Sequence, residues 1–396
     1  MTGPATLARR AVDAVRRVDA RLSRSSGRRR ILVDGRTPVN YTMVAPVHRA
    51  VSADPRVEVC FTASEEPHRL REIYAGAPGG TRLITPQRAA LMKFDAYVAS
   101  DFMWATLPRG TRRVQVFHGV GGKYGFDAPT TSMRAWDRLL FVNERRLRNF
   151  VAAGAIDRDS DAIRLVGMPK VDCLVDGTLG RDTVLRGLDL DPSRPSVLYA
   201  PTWSPASSLN AFGLDLVRNL LKGPINVVVK LHDRSRDLRE RYSGGRDWMA
   251  ALGPIVATGS GRLVSGHDIC PYLAAADVMI TDHSSAGFEY LLLDRPLVRI
   301  HRPALIEMAN VHADYVALLA EASESTTALE DTLAAVDAAL ASPAGKSATR
   351  RAIAEDLFYK PGTATRRAVA ALYEAIELEQ PVGALHGVEA LCQPSA

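Results

Sequence analysis

Short aliphatic runs recur along this chain and alternate with stretches whose apolar residues follow a helical period. The first set of predicted strands comprises Ile31–Val33, Val57–Thr62, Arg82–Ile84, Ala96–Ala99, Arg113–Phe117, Leu139–Asn143 and Ile163–Val166. The second set comprises Ser196–Ala200, Asn226–Leu231, Ile255–Ala257, Arg262–Val264, Val278–Thr281 and Leu297–Ile300. Helices are predicted between them, for example at Pro46–Ala53, Glu144–Ala153 and Ser285–Leu293. Strands that alternate with helices predict parallel sheets with crossover helices.

Turn-rich segments near residues 176–180 and 189–195 divide the pattern in two. We therefore predict an α/β protein with two Rossmann-like domains that face a central cleft, preceded by a basic amphipathic N-terminal helix. The predicted parts are an arm at 1–30, an N-terminal acceptor domain at 31–180, a C-terminal nucleotide-donor domain at 190–360, a helix at 361–379 that returns to the first domain, and a tail at 380–396.

The composition is that of a soluble globular protein, with 396 residues, 46% hydrophobic and 24% charged. The four cysteines are far apart and form no C-x-x-C pair, which argues against a structural zinc site and fits a reducing compartment. The sequence shows neither a signal-peptide pattern nor an apolar run long enough to cross a bilayer. These features predict a cytoplasmic protein.

The positive charge lies in the arm. Residues 1–30 hold nine arginines and two aspartates and carry +7, so the other 366 residues together carry −1. One helical face of the arm is apolar, formed by Leu7, Ala11, Val15, Val18 and Leu22. This pattern predicts a helix on an anionic membrane surface, at the inner face of the cell membrane. A solvated surface helix or a disordered tail fits the same residues. Nucleic-acid binding is not expected, because the body is not basic.

A polar turn follows the predicted strand Val278–Thr281 and precedes a helix that begins near Ser284. Asp282, His283, Ser284 and Ser285 lie in this turn, and Glu289 lies one helical turn beyond Ser285. The N–H groups and dipole at a helix start favour phosphate. Glu289 is placed to accept ribose hydroxyls. The turn therefore indicates nucleotide chemistry, although a serine that only caps its helix gives the same pattern.

Three other strand ends carry polar residues. His118 and Gly119 follow the strand Arg113–Phe117, and Lys123 comes shortly after; a histidine there is suited to proton transfer near neutral pH, and a lysine to phosphate. Thr202 follows the strand Ser196–Ala200. Lys230 and His232 alternate onto one face at the end of their strand, where a cation and an imidazole suit a diphosphate. In each case a purely structural role fits as well.

The sequence lacks three common nucleotide or metal signatures. It has no Walker lysine motif, no G-x-G-x-x-G after the first strand and no D-x-D pair at a strand end. These absences weigh against an NTPase, a dehydrogenase and a metal-dependent glycosyltransferase.

Taken together, the motifs resemble one known family. The segments that carry the resemblance are His118-Gly119, Gly167–Asp172, Tyr199–Trp203, Lys230–His232 and Thr281–Ser285, within residues 90–305. Their order and spacing are similar to those of the CDP-glycerol glycerophosphotransferase family, which includes teichoic acid glycerol and ribitol phosphate primases and polymerases. The resemblance implies a GT-B-type fold.

The resemblance also implies roles for individual residues. His118 corresponds to the base near the acceptor hydroxyl, and His232 to a catalytic residue at the donor diphosphate. The implied donor-binding residues are Thr202, Lys230, Asp282, His283, Ser284, Ser285 and Glu289, and the implied acceptor or phosphate residues are Gly119 and Lys123. Two departures from the family pattern leave the acceptor and the alditol open. Val120-Gly121-Gly122 replaces a common Pro-Leu after His-Gly, and His283 replaces a common tyrosine.

The implied reaction moves glycerol phosphate, or a related alditol phosphate, from a CDP-alditol to a lipid-linked glycan or polyol-phosphate acceptor and releases CMP. We expect no tightly bound cofactor, and the sequence leaves a divalent-cation requirement open. A GT-B glycosyltransferase or epimerase that uses a UDP-sugar is the alternative enzyme. A non-enzymatic nucleotide- or membrane-binding protein is the remaining alternative.

Overall fold

The computed structural model describes residues 4–100, 102–117, 119–122, 131–257 and 259–381, which form two compact α/β units. The first unit contains the described residues up to Gly119, those from 131 to Asp172 and those from Tyr359 onward. The second contains residues 120–122 and Cys173–Phe358. Two parallel α/β units confirm the fold class that the alternating pattern predicts.

The strands, in chain order, are β1 Arg29–Asp34, β2 Val57–Thr62, β3 Arg82–Leu83, β4 Ala96–Ala99, β5 Arg112–Val116, β6 Arg138–Phe141, β7 Ile163–Leu165, β8 Ser196–Tyr199, β9 Asn226–Lys230, β10 Gly261–Val264, β11 Val278–Thr281, β12 Leu297–Ile300 and β13 Glu324–Thr326. The first unit's sheet has the order β3-β2-β1-β4-β5-β6-β7. The second has the order β10-β9-β8-β11-β12-β13. Every strand pair is parallel.

The helices, in chain order, are α1 Pro4–Ser25, α2 Pro38–Ser52, α3 Leu70–Ile73, α4 Pro86–Ala89, α5 Glu144–Ala152, α6 Arg181–Gly187, α7 Ser208–Leu220, α8 Glu240–Ser243, α9 Trp248–Val256, α10 Cys270–Ala275, α11 Ser285–Tyr290, α12 Pro303–Met308, α13 Ala313–Ala322, α14 Leu329–Ala341, α15 Ser347–Leu357 and α16 Ala364–Ala375. Short 3-10 helices lie at Pro67–Arg69, Thr131–Ala135, Pro169–Leu174, Asp233–Arg236 and Leu291–Leu293.

Each sheet is buried on both faces, as parallel sheets usually are. In the first unit Ile31, Val33 and Val98 pack with Val369 and Leu372, so the last helix, α16, covers this sheet. Asp172 fixes the start of α16, because its carboxylate accepts hydrogen bonds from the backbone N–H groups of Ala364 and Thr365 at 3.0 and 2.7 Å.

The core of the second unit forms between its central strands and the helices on one face of the sheet. The strands contribute one side chain in two to this face, among them Tyr199, Val229 and Ile280. Trp248 and Leu252 of α9 pack against them, and both are fully buried. Burial of this much aliphatic and aromatic surface supplies the main favourable free energy for the unit.

One predicted strand and one predicted helix differ from the structure. Residues 255–257, predicted as a strand, form the end of α9 and the residue after it. Asp247 caps this helix by accepting a hydrogen bond from the Ala250 backbone N–H, and the buried residues Trp248, Leu252 and Val256 recur every four positions. That helical period outweighs the β-branched content of the short run. The helix predicted at 46–53 begins earlier, at Pro38, and contains Pro46.

In each sheet the order in which successive strands are added reverses between two neighbouring central strands. The reversal lies between β1 and β4 in the first unit and between β8 and β11 in the second. Ligands of open α/β sheets bind beyond the carboxyl ends of the strands at such a switch point. In the second unit this point lies between the segment that follows Tyr199 and the segment that follows Thr281, where sequence motifs also occur.

The N-terminal helix α1 is attached to the first unit by its polar side. Asp19 accepts hydrogen bonds from the Arg30 guanidinium at 2.9 Å and from the Lys93 backbone N–H at 2.6 Å, and Ser23 is buried. Val15, Val18 and Leu22 lie outside this contact and are 50%, 56% and 61% exposed. In the described part of the chain, no helix combines the length and apolar character needed to cross a membrane.

Candidate functional site

Asp282 ties together the loops at the switch point of the second unit. Its carboxylate accepts hydrogen bonds from the backbone N–H groups of Thr202, at 3.0 Å, and Ser208, at 3.1 Å. Burial raises the pKa of Asp282 to about 6, while the hydrogen bonds from Ser208 and Thr202 and the charge of Arg302 work in the opposite direction. Asp282 is fully buried, so it holds the two loops together from the protein interior.

The two loops are joined a second time by their hydroxyl groups. Thr202 Oγ1 donates to the carbonyl oxygen of His283 at 2.9 Å, and Thr281 Oγ1 donates to the carbonyl oxygen of Ala200 at 2.6 Å. His283 is buried and its ring packs edge-on against Phe288, with centroids 5.9 Å apart. The predicted site residues Thr202, Asp282 and His283 are therefore connected by hydrogen bonds between the two loops.

The helix α11 starts where the sequence predicts. Ser284 is its N-cap, and Ser284 Oγ accepts a hydrogen bond from the backbone N–H of Ala286 at 3.2 Å. Ser285 is exposed at the first helical position, and Glu289 is buried one turn further on. Gly287 allows α11 to pack closely on β11, because a Cβ atom there would lie 3.3 Å from Thr281 Cγ2.

Lys230 and His232 have different environments at the end of β9. Lys230 is buried, and its Nζ donates to the Leu231 carbonyl oxygen at 2.8 Å. His232 is exposed and caps the 3-10 helix Asp233–Arg236. The Asp233 carboxylate pairs with His267 Nδ1 at 2.7 Å. Burial opposes ionisation of Asp233, but the hydrogen bond from His267 and the charges of His267, His232 and Lys230 lower its pKa below the usual range.

The capping contact fixes the tautomer of His232. Its Nδ1 accepts a hydrogen bond from the backbone N–H of Arg234 at 3.1 Å, so in the neutral ring the proton is on Nε2. The exposed ring therefore has a donor, the Nε2–H group, beyond the carboxyl end of β9. This arrangement suits hydrogen bonding to an anion.

An aromatic and basic cluster adjoins His232 and includes residues that the sequence motifs do not reveal. The Trp203 ring lies 6.2 Å from the His232 ring and 5.5 Å from the Tyr242 ring, measured between centroids. The Arg234 guanidinium carbon lies 4.5 Å from the Trp203 centroid and 5.3 Å from the Tyr242 centroid. The sequence could have indicated Arg234 as a site residue, because Arg234 lies only two residues after His232.

The predicted residues His118 and Lys123 lie outside the described residues. Gly119, between them, has φ +67°, and its carbonyl oxygen accepts a hydrogen bond from Arg146 at 3.4 Å. Residues 120–122 are attached to α13 and the residue before it. Tyr315 Oη donates to the Val120 carbonyl oxygen at 3.1 Å, and the His312 backbone N–H donates to the Gly122 carbonyl oxygen at 2.9 Å.

The backbone conformation and the contact with Tyr315 require a glycine at position 122. Its φ is +83°, a conformation that favours glycine, and a Cβ atom there would lie 2.3 Å from Tyr315 Cδ2. The glycine therefore allows the Tyr315 ring to lie against the backbone that follows the His118 segment. Gly122 belongs to the segment in which this chain departs from the family pattern.

Among the described residues, no group of three or more His, Cys, Asp and Glu side chains is arranged to hold a metal ion. The carboxylates near the switch point are engaged by protein groups, since Asp282 accepts from backbone N–H groups and Asp233 pairs with His267. The donors at this end of the sheet, including His232 and Arg234, suit an anion.

The sequence model of one protein family, described as CDP-Glycerol:Poly(glycerophosphate) glycerophosphotransferase, matches residues 81–374. The chain belongs to this glycerophosphotransferase family. The match covers most of the chain and confirms the family that the motifs indicated, and with it the prediction that the protein is an enzyme of the CDP-glycerol glycerophosphotransferase type. None of the curated protein sequences compared with this glycerophosphotransferase matches it.

Solved structures agree with the fold of this glycerophosphotransferase. The wall teichoic acid polymerase TagF is similar with a TM-score of 0.66 and 16% identity, over 94% of this chain and 95% of that chain. A TagF variant soaked with CDPG gives a TM-score of 0.65 and 15% identity, over 94% and 95%. The UDP-GlcNAc 2-epimerase from Neisseria meningitidis, bound to UDP-GlcNAc, gives 0.55 and 12%, over 87% and 100%. These similarities confirm the predicted GT-B-type fold.

Proposed function

We propose that this enzyme transfers glycerol phosphate from CDP-glycerol to a hydroxyl group of a membrane-anchored glycan or polyol-phosphate acceptor and releases CMP, in synthesis of a teichoic acid-like cell-surface polymer. The observation that carries the proposal is the match of residues 81–374 to the glycerophosphotransferase family. The CDPG-soaked TagF variant, which shares the fold, supports the choice of donor. The cluster of donors at the switch point of the second unit supports a nucleotide site in that unit.

In this proposal the donor nucleotide binds beyond the carboxyl ends of β8, β9 and β11. Ser284 and Ser285 bind phosphate at the start of α11, and Glu289 faces the ribose. Thr202, Asp282, His283 and Lys230 shape this site, and the contacts of Asp282 support a positioning role for it. Both carboxylate oxygens of Asp282 accept hydrogen bonds from backbone N–H groups. A substitution of Asp282 is therefore expected to affect donor binding by displacing the loops that contain Thr202 and Ser208.

His232 stabilises the leaving group in the proposed reaction. The acceptor oxygen attacks the β-phosphorus, the bond from that phosphorus to the bridging oxygen breaks, and CMP leaves with the bridging oxygen. Negative charge develops on the departing phosphate. The Nε2–H group of His232 donates a hydrogen bond to it, which is electrostatic stabilisation by a preorganised donor.

His118 is proposed as the base that takes the proton of the acceptor hydroxyl, with Gly119 and Lys123 on the acceptor or phosphate side. This assignment rests on the resemblance of the His118-Gly119 segment to the family motif. A histidine is suited to the step because its ordinary pKa is close to neutral pH.

The helix α1 is proposed to hold the enzyme against the anionic inner face of the cell membrane, where a lipid-linked acceptor is located. Its attachment to the first unit through Asp19 leaves Val15, Val18 and Leu22 exposed. Arg17 and Arg21 of the same helix are also exposed. Apolar residues flanked by arginines are the pattern of a helix that lies in an anionic membrane surface.

The test measures CMP release from CDP-glycerol with a lipid-linked disaccharide or glycerol-phosphate acceptor, with His118→Ala in parallel. We expect acceptor-dependent CMP release that the variant loses by at least a hundredfold. The fold shared with the epimerase makes a UDP-sugar enzyme the competing function. UDP release or epimerisation of a UDP-sugar, with no CMP from any CDP-alditol, would reject the proposal.

A further inference from the structure

Arg234 is held between two aromatic rings at the surface of the second unit. Its guanidinium carbon is 4.5 Å from the Trp203 centroid and 5.3 Å from the Tyr242 centroid, and the two rings meet edge-on at 73°. Stacking on aromatic faces fixes the plane of a guanidinium while its N–H groups at the edge stay available. The Arg234 residue itself is exposed. The contacts thus orient a cation at the surface without covering it.

The acidic residues of the same segment are engaged elsewhere. Asp233 pairs with His267 at 2.7 Å, and Asp237 forms a bidentate pair with Arg239. Within the part of the chain that the structure describes, no carboxylate lies at ion-pair distance from the Arg234 guanidinium. A cation oriented by two rings and not neutralised by a neighbour is suited to bind an anionic ligand.

The position of Arg234 indicates which kind of anion it binds. Its backbone N–H donates to His232 Nδ1 at 3.1 Å, so one short turn orients both the His232 Nε2–H group and the Arg234 guanidinium. The turn lies directly after β9, at the carboxyl end of the sheet, where α/β folds bind phosphates. A planar guanidinium beside a neutral N–H donor matches a group with several adjacent phosphate oxygens.

We propose that Arg234, held by Trp203 and Tyr242, binds the diphosphate of a nucleoside diphosphate donor together with His232. The inference rests on the proposed function for the identity of the nucleotide, and it adds a binding residue that the family motifs do not include. Trp203 and Tyr242 act as positioning residues, because they orient the guanidinium. Arg234 then contributes mainly to donor affinity, and His232 to the rate of transfer.

The experiment measures binding of CDP and of cytidine to the full chain by isothermal titration calorimetry. Arg234→Gln removes the guanidinium, and Arg239→Gln is the matched control, because Arg239 stacks on the same Tyr242 ring at 4.7 Å but is paired with Asp237. We expect Arg234→Gln to weaken CDP binding by ten- to a hundredfold and to leave cytidine binding unchanged, as loss of a charge-assisted hydrogen bond requires. Arg239→Gln should change CDP affinity less than twofold.

A conservative variant tests the aromatic clamp. Arg234→Lys keeps the charge but loses the planar fork, so it should restore part of the CDP affinity. Thermal unfolding of each variant checks that it is folded. CDP affinity within twofold of wild type in folded Arg234→Gln would overturn the inference. If the wild type bound UDP in preference to CDP and Arg234→Gln lost that binding, the proposed donor would be wrong while the role of Arg234 would stand.

Discussion

The two switch points of this protein have the same architecture but different surroundings. In the first unit Asp34 ends β1 and accepts hydrogen bonds from Tyr97 Oη, at 2.7 Å, and from both the backbone N–H and the hydroxyl of Ser64. The Tyr74 hydroxyl fills the space beside Gly35, where a Cβ atom would lie only 2.7 Å from it. At this switch point Asp34 is therefore engaged by the protein's own groups, from Tyr97 and Ser64.

In the second unit a buried aspartate again ties the loops together, but donors remain at the surface. Asp282 corresponds to Asp34 in its burial and in its raised pKa. Beyond the carboxyl ends of β9 and β11, however, Ser285, His232 and Arg234 are exposed. The topology therefore supplies a position for a ligand, while the surrounding side chains decide whether that position is filled by the protein or offered to a substrate.

The largest expected effect is the loss of transfer rate when His232, beyond the carboxyl end of β9 in the second unit, is substituted. An asparagine places its Oδ1 close to the position of Nδ1, so His232→Asn keeps an acceptor for the Arg234 backbone N–H but loses the Nε2–H donor. We expect CMP release to fall by about 10²–10³, the usual cost of removing a preorganised donor. His232→Gln, which restores a donor near Nε2, should recover part of the rate. Equal rates for His232→Asn and wild type would exclude this role.

The next effect concerns the attachment of residues 120–122. Gly122→Ala must strain a backbone with φ +83° and collide with Tyr315, whereas Gly110→Ala has φ +85° and open space around it. In both variants an alanine in the left-handed conformation lowers the free energy of unfolding by about 1 kcal/mol. We expect Gly122→Ala to lower the free energy of unfolding by about 2 kcal/mol more than Gly110→Ala, measured in urea. Equal losses would show that the Tyr315 contact does not constrain this segment.

Another effect is the pH dependence that Asp282 gives to the free energy of unfolding. Its pKa is about 6 in the folded protein, above the ordinary value of 3.8, so between these values the folded state binds more protons than the unfolded state. The stability that Asp282 contributes is therefore highest at low pH and falls as the pH rises through 6, by roughly 3 kcal/mol. The difference in free energy of unfolding between wild type and Asp282→Asn should shrink from pH 4 to pH 7.

The Asp282 prediction has a control in the first unit. The pKa of Asp34 is also raised by burial, so Asp34→Asn changes the pH dependence of the first unit. It leaves the Asp282 contribution in place, so the further substitution Asp282→Asn should have the same pH-dependent effect in this background. A wild-type advantage over Asp282→Asn that grows with pH would show that the sign of the Asp282 shift is wrong.

The smallest effect concerns α1. Val18→Ser with Leu22→Ser removes most of the exposed apolar side, and we expect about a tenfold loss of binding to vesicles that contain anionic lipid. Co-sedimentation measures this binding. Val175→Ser is the control, because Val175 is an exposed apolar residue, 40% exposed, in the second unit. Unchanged vesicle binding in the double variant would remove α1 from the proposed membrane contact.

The sequence predicted the sheets well because each central strand is a continuous aliphatic run, such as Val227 to Val229. It missed β13, Glu324–Thr326, because this short edge strand is polar. It predicted Lys230 and His232 as neighbours on one face, yet Lys230 is buried against Leu231 and His232 is exposed. Alternation along a strand does not specify whether a long side chain folds back or extends.

Sequence patterns indicate which segments form the candidate site, but they do not indicate the contacts between those segments. The helix start at Ser284 follows from local residue types, so it was visible in the sequence. The attachment of Thr202 and Ser208 to Asp282 joins residues that are more than 70 positions apart, which no local pattern indicates. The clamp around Arg234 likewise depends on Trp203 and Tyr242, which come together only through the packing of the second unit.

The most direct test of the central claim is a structure of the full chain with CDP-glycerol bound. We predict that the diphosphate lies beyond the carboxyl ends of β8, β9 and β11, within hydrogen-bond distance of His232 Nε2 and near the start of α11. A nucleotide bound instead at the first unit's switch point, beside Asp34 and Tyr74, would contradict the account.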